Sequence, residues 1–245
     1  MKDVLSRIGI GSAHVDTVLP SSTVRAGDAV DAEVHVEGGS TDQDIDAIYF
    51  ALETEYRIEE GYADAIVDKW QLTEPFTIES GEERRFETTI DVPRRTPVTV
   101  GSVSVEIETG LDISMAVDPE DEDRIEVRPT ERLQAVFDAL ENVGFSLRSS
   151  SCEARPGGIF STSASFVQEF EFRPQRGEFS GEVDEVEIIP VYDGNGLTVH
   201  MEVDRRGGLL SEAMDIDERH TSFTVQRADP STIEPSLTQA IRDLS

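Results

Sequence analysis

Lysine is scarce in this sequence. The 245 residues include only Lys2 and Lys69, and 51 acidic residues against 21 basic ones give a net charge of -30. Nucleic-acid binding needs clustered lysine and arginine, so we do not expect DNA or RNA as a partner. Repulsion among the carboxylates would strain a fold at low ionic strength, whereas at molar salt the screening length falls to about 3 Å. The composition therefore predicts a halophilic protein, and the regular strand patterns described below argue against an acidic disordered chain.

Cysteine and long apolar runs are also scarce. The single cysteine, Cys152, excludes an internal disulfide and fits a reducing cytoplasm. No stretch has the length and purity of a membrane helix, and residues 1–16 have too short an apolar core for a secretory signal. We therefore expect a cytoplasmic protein with no integral membrane segment.

Motifs of known catalytic chemistry are missing as well. The sequence has no G-x-S-x-G element, and the Gly9–Gly11 fragment lacks the remaining glycine of a dinucleotide fingerprint. Cys152 has no histidine near it in sequence, and no carboxylate pair stands out as a general acid and base. We expect no catalytic residue, no cofactor and no enzymatic activity. The alternative is an enzyme or small-ligand-binding protein with a site between two domains.

Metal-ligand patterns are weak. Residues 118–123 (DPEDED) and 193–196 (DGNG) offer oxygen ligands, but neither stretch has EF-hand spacing. They are better explained as a solvated acidic loop and a tight turn. The four histidines are scattered along the chain, which indicates surface histidines rather than zinc ligands: His14, His35, His200 and His220.

Most of the chain shows the period-two pattern of β-strands. In residues 30–37 and 197–204, apolar residues alternate with polar ones, which is typical of a strand with one dry face and one wet face. Such runs recur with turn signals between them, which suggests β-sandwiches, and the length suits two domains. The DGNG stretch predicts a tight hairpin. The acidic segment 59–68 predicts a hairpin loop, and Gly110 predicts a bend or bulge in its strand.

One segment has the periodicity of a helix. Its apolar residues recur at i, i+3, i+4, i+7 and i+10: Leu133, Val136, Phe137, Leu140 and Val143. Thr130 is placed to cap the first turn, and Gly144 suits the left-handed residue that closes a helix. This helix belongs either at the junction of two domains or on the surface of one. We predict an N-terminal domain over 1–127, a C-terminal domain over 128–228 that begins with the helix, and a loosely held polar tail over 229–245.

A charge cluster at residues 204–206 is the candidate site. Asp204, Arg205 and Arg206 follow an apolar strand, and the alternation places Arg205 on its apolar phase. An inward charge is costly without a partner. We hypothesise that Arg205 pairs with a carboxylate between strands or between domains, which makes the cluster an interdomain or structural one. The alternative is that the strand has already ended and all three side chains are solvated.

Six segments together resemble a known family. In chain order they are IGIGSAHVDTVL, VPRRTPVTVGSVSVEIETGLDI, DRIEV, AVFDALENVGF, FVQEFEFRP and EVDRRGGLLSE, and they cover most of residues 8–212. They resemble the arrestin-related sporulation-control proteins of bacteria and archaea. This resemblance implies an all-β protein of two consecutive arrestin-like β-sandwich domains, here with one helix near the domain junction. It also implies a role in regulation or scaffolding, and it supplies no catalytic motif.

Other proteins are the partners that this resemblance and the composition favour. Exposed strand edges can add a strand from a partner protein, or can be closed by formation of a homo-oligomer. A peripheral membrane adaptor is disfavoured because anionic lipids would repel the acidic surface.

Overall fold

The computed structural model describes residues 12–114, 118–154, 165–206 and 220–245, which are mostly in β-strands. The Gly9–Gly11 fragment and the residues after Arg206 in the last family-like segment lie outside this part of the chain. The chain divides into two compact units. Unit 1 comprises Met1–Glu55, Asp64–Thr99 and Ser104–Arg128, and unit 2 comprises Tyr56–Ala63, Val100–Val103 and Pro129–Ser245.

Two sheets build unit 1. The strands in chain order are β1 (His14–Val18), β2 (Thr23–Arg25), β3 (Ala29–Glu37), β4 (Gln43–Ile58), β5 (Gly61–Gln71), β6 (Phe76–Ile78), β7 (Glu83–Asp91), β8 (Val105–Ile113) and β9 (Glu120–Arg128). One sheet has the order β1-β3-β7. In the other, β4 pairs with β5, β6 and β8, and the order continues from β8 to β9 and β2.

The period-two pattern decides which faces of unit 1 are buried. In β3 the valines at positions 30, 34 and 36 are buried, whereas Asp31 between them is exposed. Thr17 of β1 and Thr109 of β8 are both buried, and their hydroxyl oxygens lie 2.7 Å apart in a hydrogen bond that joins the two sheets. The dry faces of both sheets therefore contribute to one core.

In unit 2, five strands pair in chain order within the described residues. They are β10 (Phe145–Ala154), β11 (Phe166–Pro174), β12 (Val183–Asp193), β13 (Gly196–Arg205) and β14 (His220–Val225), antiparallel in that order. The unit also contains the helices α1 (Glu131–Asn142) and α2 (Pro230–Leu244) and a 3-10 turn over Glu178–Gly181.

Helices, rather than a second sheet, cover the dry face of these five strands. The Phe137 ring of α1 lies 4.9 Å from the Phe170 ring and 5.4 Å from the Phe172 ring of β11, measured between centroids. Helix α2 packs against α1 and β14. The described residues of unit 2 therefore do not form the second sandwich that the resemblance implied, because two amphipathic helices bury the apolar face that another sheet would cover.

Helix α1 begins and ends where the sequence predicts. The Thr130 hydroxyl accepts from the Leu133 amide at 3.2 Å and caps the first turn. Gly144 follows with a φ of 104°, and a Cβ there would lie 2.2 Å from the Arg176 carbonyl oxygen. Only glycine fits this end of the helix. The helix is part of unit 2, where it packs against β10 and α2.

The predicted loose tail is wrong. Residues 230–244 form α2, whose N-terminus is capped by the Asp229 carboxylate through a 3.0 Å bond from the Ser231 amide. Ile233, Leu237 and Ile241 are buried. They recur every four residues, so they form a narrow apolar stripe that needs a surface to cover it.

Two smaller predictions are also wrong. The acidic segment 59–68 is not a hairpin loop, because β4 runs to Ile58 and β5 begins at Gly61, leaving a two-residue turn. Gly110 does not bulge β8. It lies opposite Tyr49 in regular register, and a Cβ there would be 2.1 Å from the Tyr49 Cζ, so the glycine makes room for the ring.

Candidate interaction surface

Arg205 faces outward, contrary to the inward placement predicted from the alternation. Its side chain is exposed at the last residue of β13, and its Nε donates to the Leu244 carbonyl oxygen at 2.8 Å. The pairing of β13 with β12 shifts register between Val183 and Glu185, opposite this end of the strand. A bulge and a strand end together move Arg205 off the inner face, so it binds a backbone oxygen rather than a carboxylate.

Arg206 continues the same edge. Its backbone amide donates to the Glu182 carbonyl at 2.9 Å, and its guanidinium donates to the Ser180 carbonyl at 3.3 Å. The Arg206 Nε also lies 3.7 Å from the Asp184 carboxylate, with both side chains more than half exposed. Asp204 is half-buried opposite Glu185. The predicted cluster is thus gathered at one end of the sheet of unit 2, where it contacts the 3-10 turn and the end of α2.

A row of polar residues crosses the outer face of the same sheet. Ser149, Glu171, Glu187, Glu202 and His220 lie directly opposite one another in the registers of successive strands from β10 to β14. We call these five residues the outer row. Directly opposed residues lie about 5 Å apart, where like charges destabilise a sheet. The outer row could not be predicted from the sequence, because alternation predicts the phase of a strand but not its register.

The ends of the outer row are paired and its centre is not. The Ser149 hydroxyl donates to Glu171, and His220 Nδ1 lies 3.4 Å from Glu202 Oε2. Burial raises the pKa of the central Glu187 to about 7, and Glu169, Glu202, Glu185 and Glu171 add to the rise by repulsion. The pKa of Glu169 is raised chiefly by burial too. The Glu187 carboxyl therefore stays partly protonated up to about neutral pH.

Carboxylates are also crowded in unit 1. The pKa values of Glu53 and Glu108 are raised, first by burial and then by acidic neighbours. Tyr49 beside them has a pKa of about 12, raised by burial and by Glu120, Glu108 and Asp118. Lys69, one of the two lysines, places its Nζ 3.8 Å from the centre of the Tyr49 ring.

The stretches weighed as metal sites have structural roles in the described residues. The Asp118 carboxylate accepts from the Ile113 amide at 2.9 Å, and the Asp121 carboxylate accepts from the Thr17 amide at 2.7 Å. Residues 194–195 form the tight turn between β12 and β13, and Cys152 is buried. No group of three or more histidine, cysteine or acidic side chains that could hold a metal ion occurs in the described ranges. The described helices are all too short or too polar to cross a membrane.

Two exposed apolar side chains flank the turn between β4 and β5. Ile58 is 38% exposed and Tyr62 is 63% exposed, and both belong to unit 2. Single exposed apolar residues are ordinary, and these two lie at the same turn, beside Glu59 and Glu60. We call Ile58 and Tyr62 the hairpin patch.

Comparison with known proteins identifies the family. A family model described as "SpoOM protein" matches residues 1–207. The sporulation-control protein spo0M of Bacillus subtilis is 41% identical over 209 residues, which cover 84% of this chain and 80% of that protein. The crystal structure of the Bacillus subtilis Spo0M matches with a TM-score of 0.84 and 34% identity, over 96% of this chain and 100% of that one. The chain therefore belongs to the Spo0M family of sporulation-control proteins.

Proposed function

We propose that the protein is a non-enzymatic regulator or scaffold that acts by binding other proteins, as its relatives' description as sporulation-control proteins suggests. The observation that carries this proposal is the 41% identity to such a protein across 84% of the chain. The contacts of Asp118, Asp121 and the residue 204–206 cluster agree with it, because these polar groups hold strands and helix ends together.

The place of action follows from composition. With one cysteine and a net charge of -30, the protein suits a cytoplasm that is reducing and rich in salt. We therefore propose a cytoplasmic regulator adapted to high salt. We also propose that units 1 and 2 correspond to the two consecutive arrestin-like domains of the resemblance, with helices taking the place of one sheet in unit 2.

The hairpin patch is the contact point to test first. Apolar side chains contribute binding energy that salt does not screen, which suits a partner bound at high ionic strength. Ile58 and Tyr62 are both exposed, so changing them to serine leaves the core intact.

Affinity capture of bound proteins from the native host tests the proposal that the protein is a regulator or scaffold. A tagged chain is expressed in its own host and purified at molar KCl after brief cross-linking, and bound proteins are quantified by mass spectrometry. We expect one or a few proteins in amounts comparable to the bait. The Ile58→Ser/Tyr62→Ser variant should recover several-fold less, and the control Glu59→Gln/Glu60→Gln, at the same turn, should behave as wild type. Recovery of no protein above background, or of a small molecule instead, would refute the regulator proposal.

A further inference from the structure

Helix α2 is a narrow amphipathic helix. Ile233 is 5% exposed, and Leu237 and Ile241 are fully buried, whereas Ser236 and Gln239 on the other side are exposed. Three aliphatic side chains at i, i+4 and i+8 therefore make up the buried stripe. A stripe this narrow fits a groove better than a flat surface.

The surface beneath α2 is formed by α1 and β14. Ala135 and Ala139 of α1 are buried, and they lie one turn apart on a different side of the helix from Phe137, which contacts the sheet. Asn142, three residues after Ala139, donates to the Glu234 carboxylate of α2 at 2.6 Å. Small alanine side chains allow a second helix to approach closely. We call Ala135, Ala139 and Asn142, together with the neighbouring strand β14, the α2 groove.

Exposed polar contacts hold the far end of α2. Arg205 of β13 donates to the Leu244 carbonyl at 2.8 Å, and Arg242 pairs with Glu178 at 2.8 Å. Exposed contacts of this kind add little stability and mainly fix register. Arg205, predicted from the sequence to be a buried partner in an ion pair, thus helps to hold the C-terminal end of α2.

Helix α2 is held by its three buried aliphatic residues, its Asp229 cap and the two contacts at its far end. Pro235 lies inside the helix and removes one backbone hydrogen bond, and the preceding residues 226–229 are exposed. Helix α1 is capped as well, and it has in addition ring contacts to Phe170 and Phe172 of the sheet. Elements with few buried contacts open at lower free energy than the core around them.

We propose that α2 is a detachable strap lying in a helix-binding groove, and that the same groove accepts an amphipathic helix of a partner protein. The partner helix carries aliphatic side chains at i, i+4 and i+8, an acidic residue near its start to meet Asn142, and a basic residue near its end to meet Glu178. These features are taken from α2, which occupies the groove here. This inference rests on the proposed role in protein binding and names one way in which it occurs.

Hydrogen exchange in the full chain tests whether the strap detaches. We expect the α2 amides to exchange about tenfold or more faster than those of α1 and β11–β13. Arg205→Ala removes the hydrogen bond to the Leu244 carbonyl. It should speed amide exchange in α2 several-fold and leave the exchange rates of the sheet unchanged. Arg148→Ala, an exposed arginine with the same loss of charge, is the control. Exchange of α2 at the rate of the sheet in every variant would overturn the strap.

Peptide binding tests the groove. A fluorescent peptide of residues 229–245 is titrated with full-length protein and followed by anisotropy. Wild type should bind weakly, because the tethered α2 competes at high effective concentration. Leu237→Ala should bind the peptide about tenfold more tightly, since truncation loosens the strap. Ser236→Ala should match wild type, and Arg205→Ala provides the same test should Leu237→Ala fail to fold.

The outcomes separate the two proposals. Equal binding of the peptide and a scrambled peptide to all variants would overturn the groove, and capture of a partner in the host would still support the regulator. Peptide binding without capture of any protein would support the groove and count against the regulator.

Discussion

Glu187 shows what a sheet does to a single carboxyl in a very acidic protein. Its folded pKa is about 7, against an ordinary value of 4.5, because it is half-buried and faces Glu169 and Glu171 on β11 and Glu202 on β13. A raised carboxyl pKa means that the folded state binds the proton more tightly than the unfolded state. The stabilisation of the folded state by this proton is therefore complete below about pH 4.5, and it is lost as the pH rises through about 7.

Replacing Glu187 by glutamine should remove this loss. We expect Glu187→Gln to raise the free energy of unfolding at pH 8 by about 1 kcal/mol, a value discounted because the side chain is partly solvated. The fall in stability between about pH 5 and 7 should become shallower. Urea unfolding in molar KCl at a series of pH values measures both effects.

The matched control is Glu182→Gln, which makes the same charge change at an exposed position. It should leave the slope of stability against pH unchanged. An equal gain from both variants would show that net charge, rather than the setting of Glu187, decides the effect.

At the residue scale, the sequence predicted on which face of a strand a residue lies, but not which residues of other strands lie beside it. Alternation correctly predicted that the valines of β3 and β13 are buried. It misplaced Arg205, because the register shift opposite that residue depends on the partner strand. It also missed why Gly110 is a glycine, since the Tyr49 ring that fills the space comes from another strand.

Among the secondary-structure elements, α1 and α2 differ in how much of their structure is encoded locally. The cap, stripe and closing glycine of α1 are all contiguous in sequence, so they predicted the helix. The stripe of α2 has only three members, and its meaning depends on Ala135 and Ala139 nearly a hundred residues earlier. Two alanines four residues apart beside the main stripe of α1 were the signal that a second helix packs there.

The cap of α1 can be tested by itself. Thr130→Ala removes the acceptor for the Leu133 amide and the contact with the Tyr192 hydroxyl at 3.0 Å. We expect a loss of about 1 kcal/mol in the free energy of unfolding, as for other threonine caps. Thr130→Ser keeps the hydroxyl and should retain most of the stability. A loss as large in the serine variant would mean that the methyl group, not the cap, matters.

The acidic residues of segment 59–68 are the reason why strand β5 was not predicted. In an ordinary protein, a segment such as 59–68 with four acidic residues would mark a loop. In a chain with one acidic residue in about five, carboxylates also occupy the wet face of strands, and Ala65 and Val67 bury the dry face of this one. Polarity therefore predicts loops poorly in such a composition, whereas glycine and proline positions still mark turns.

At the scale of the whole molecule, nonlocal segments shape the units. Unit 2 contains Tyr56–Ala63 and Val100–Val103 in addition to the residues after Arg128. In it, Arg57 pairs in parallel with Glu153 of β10, and their side chains form a 3.4 Å ion pair. A division into consecutive ranges cannot foresee such insertions, because sequence patterns record local periodicity and not which distant segment completes a sheet.

The whole charge distribution predicts a strong dependence of stability on salt. Opposed carboxylates of the outer row lie about 5 Å apart. The screening length is about 10 Å at 0.1 M salt and about 3 Å at 1 M, so only the higher concentration screens such pairs well. We expect the urea midpoint to rise substantially between 0.1 and about 2 M KCl. Thermal or urea unfolding followed by circular dichroism measures this.

Two comparisons separate charge screening from a general effect of cosolutes. Sucrose at equal osmolality strengthens apolar burial without screening charge, so it should reproduce only a small part of the gain. The gain from KCl should also be larger at pH 8 than near pH 5, because Glu187, whose pKa is about 7, ionises over that interval and adds repulsion that salt can screen. Equal gains at both pH values would assign the effect to burial of apolar surface instead, and the acidic surface would then be a matter of solubility rather than of folding.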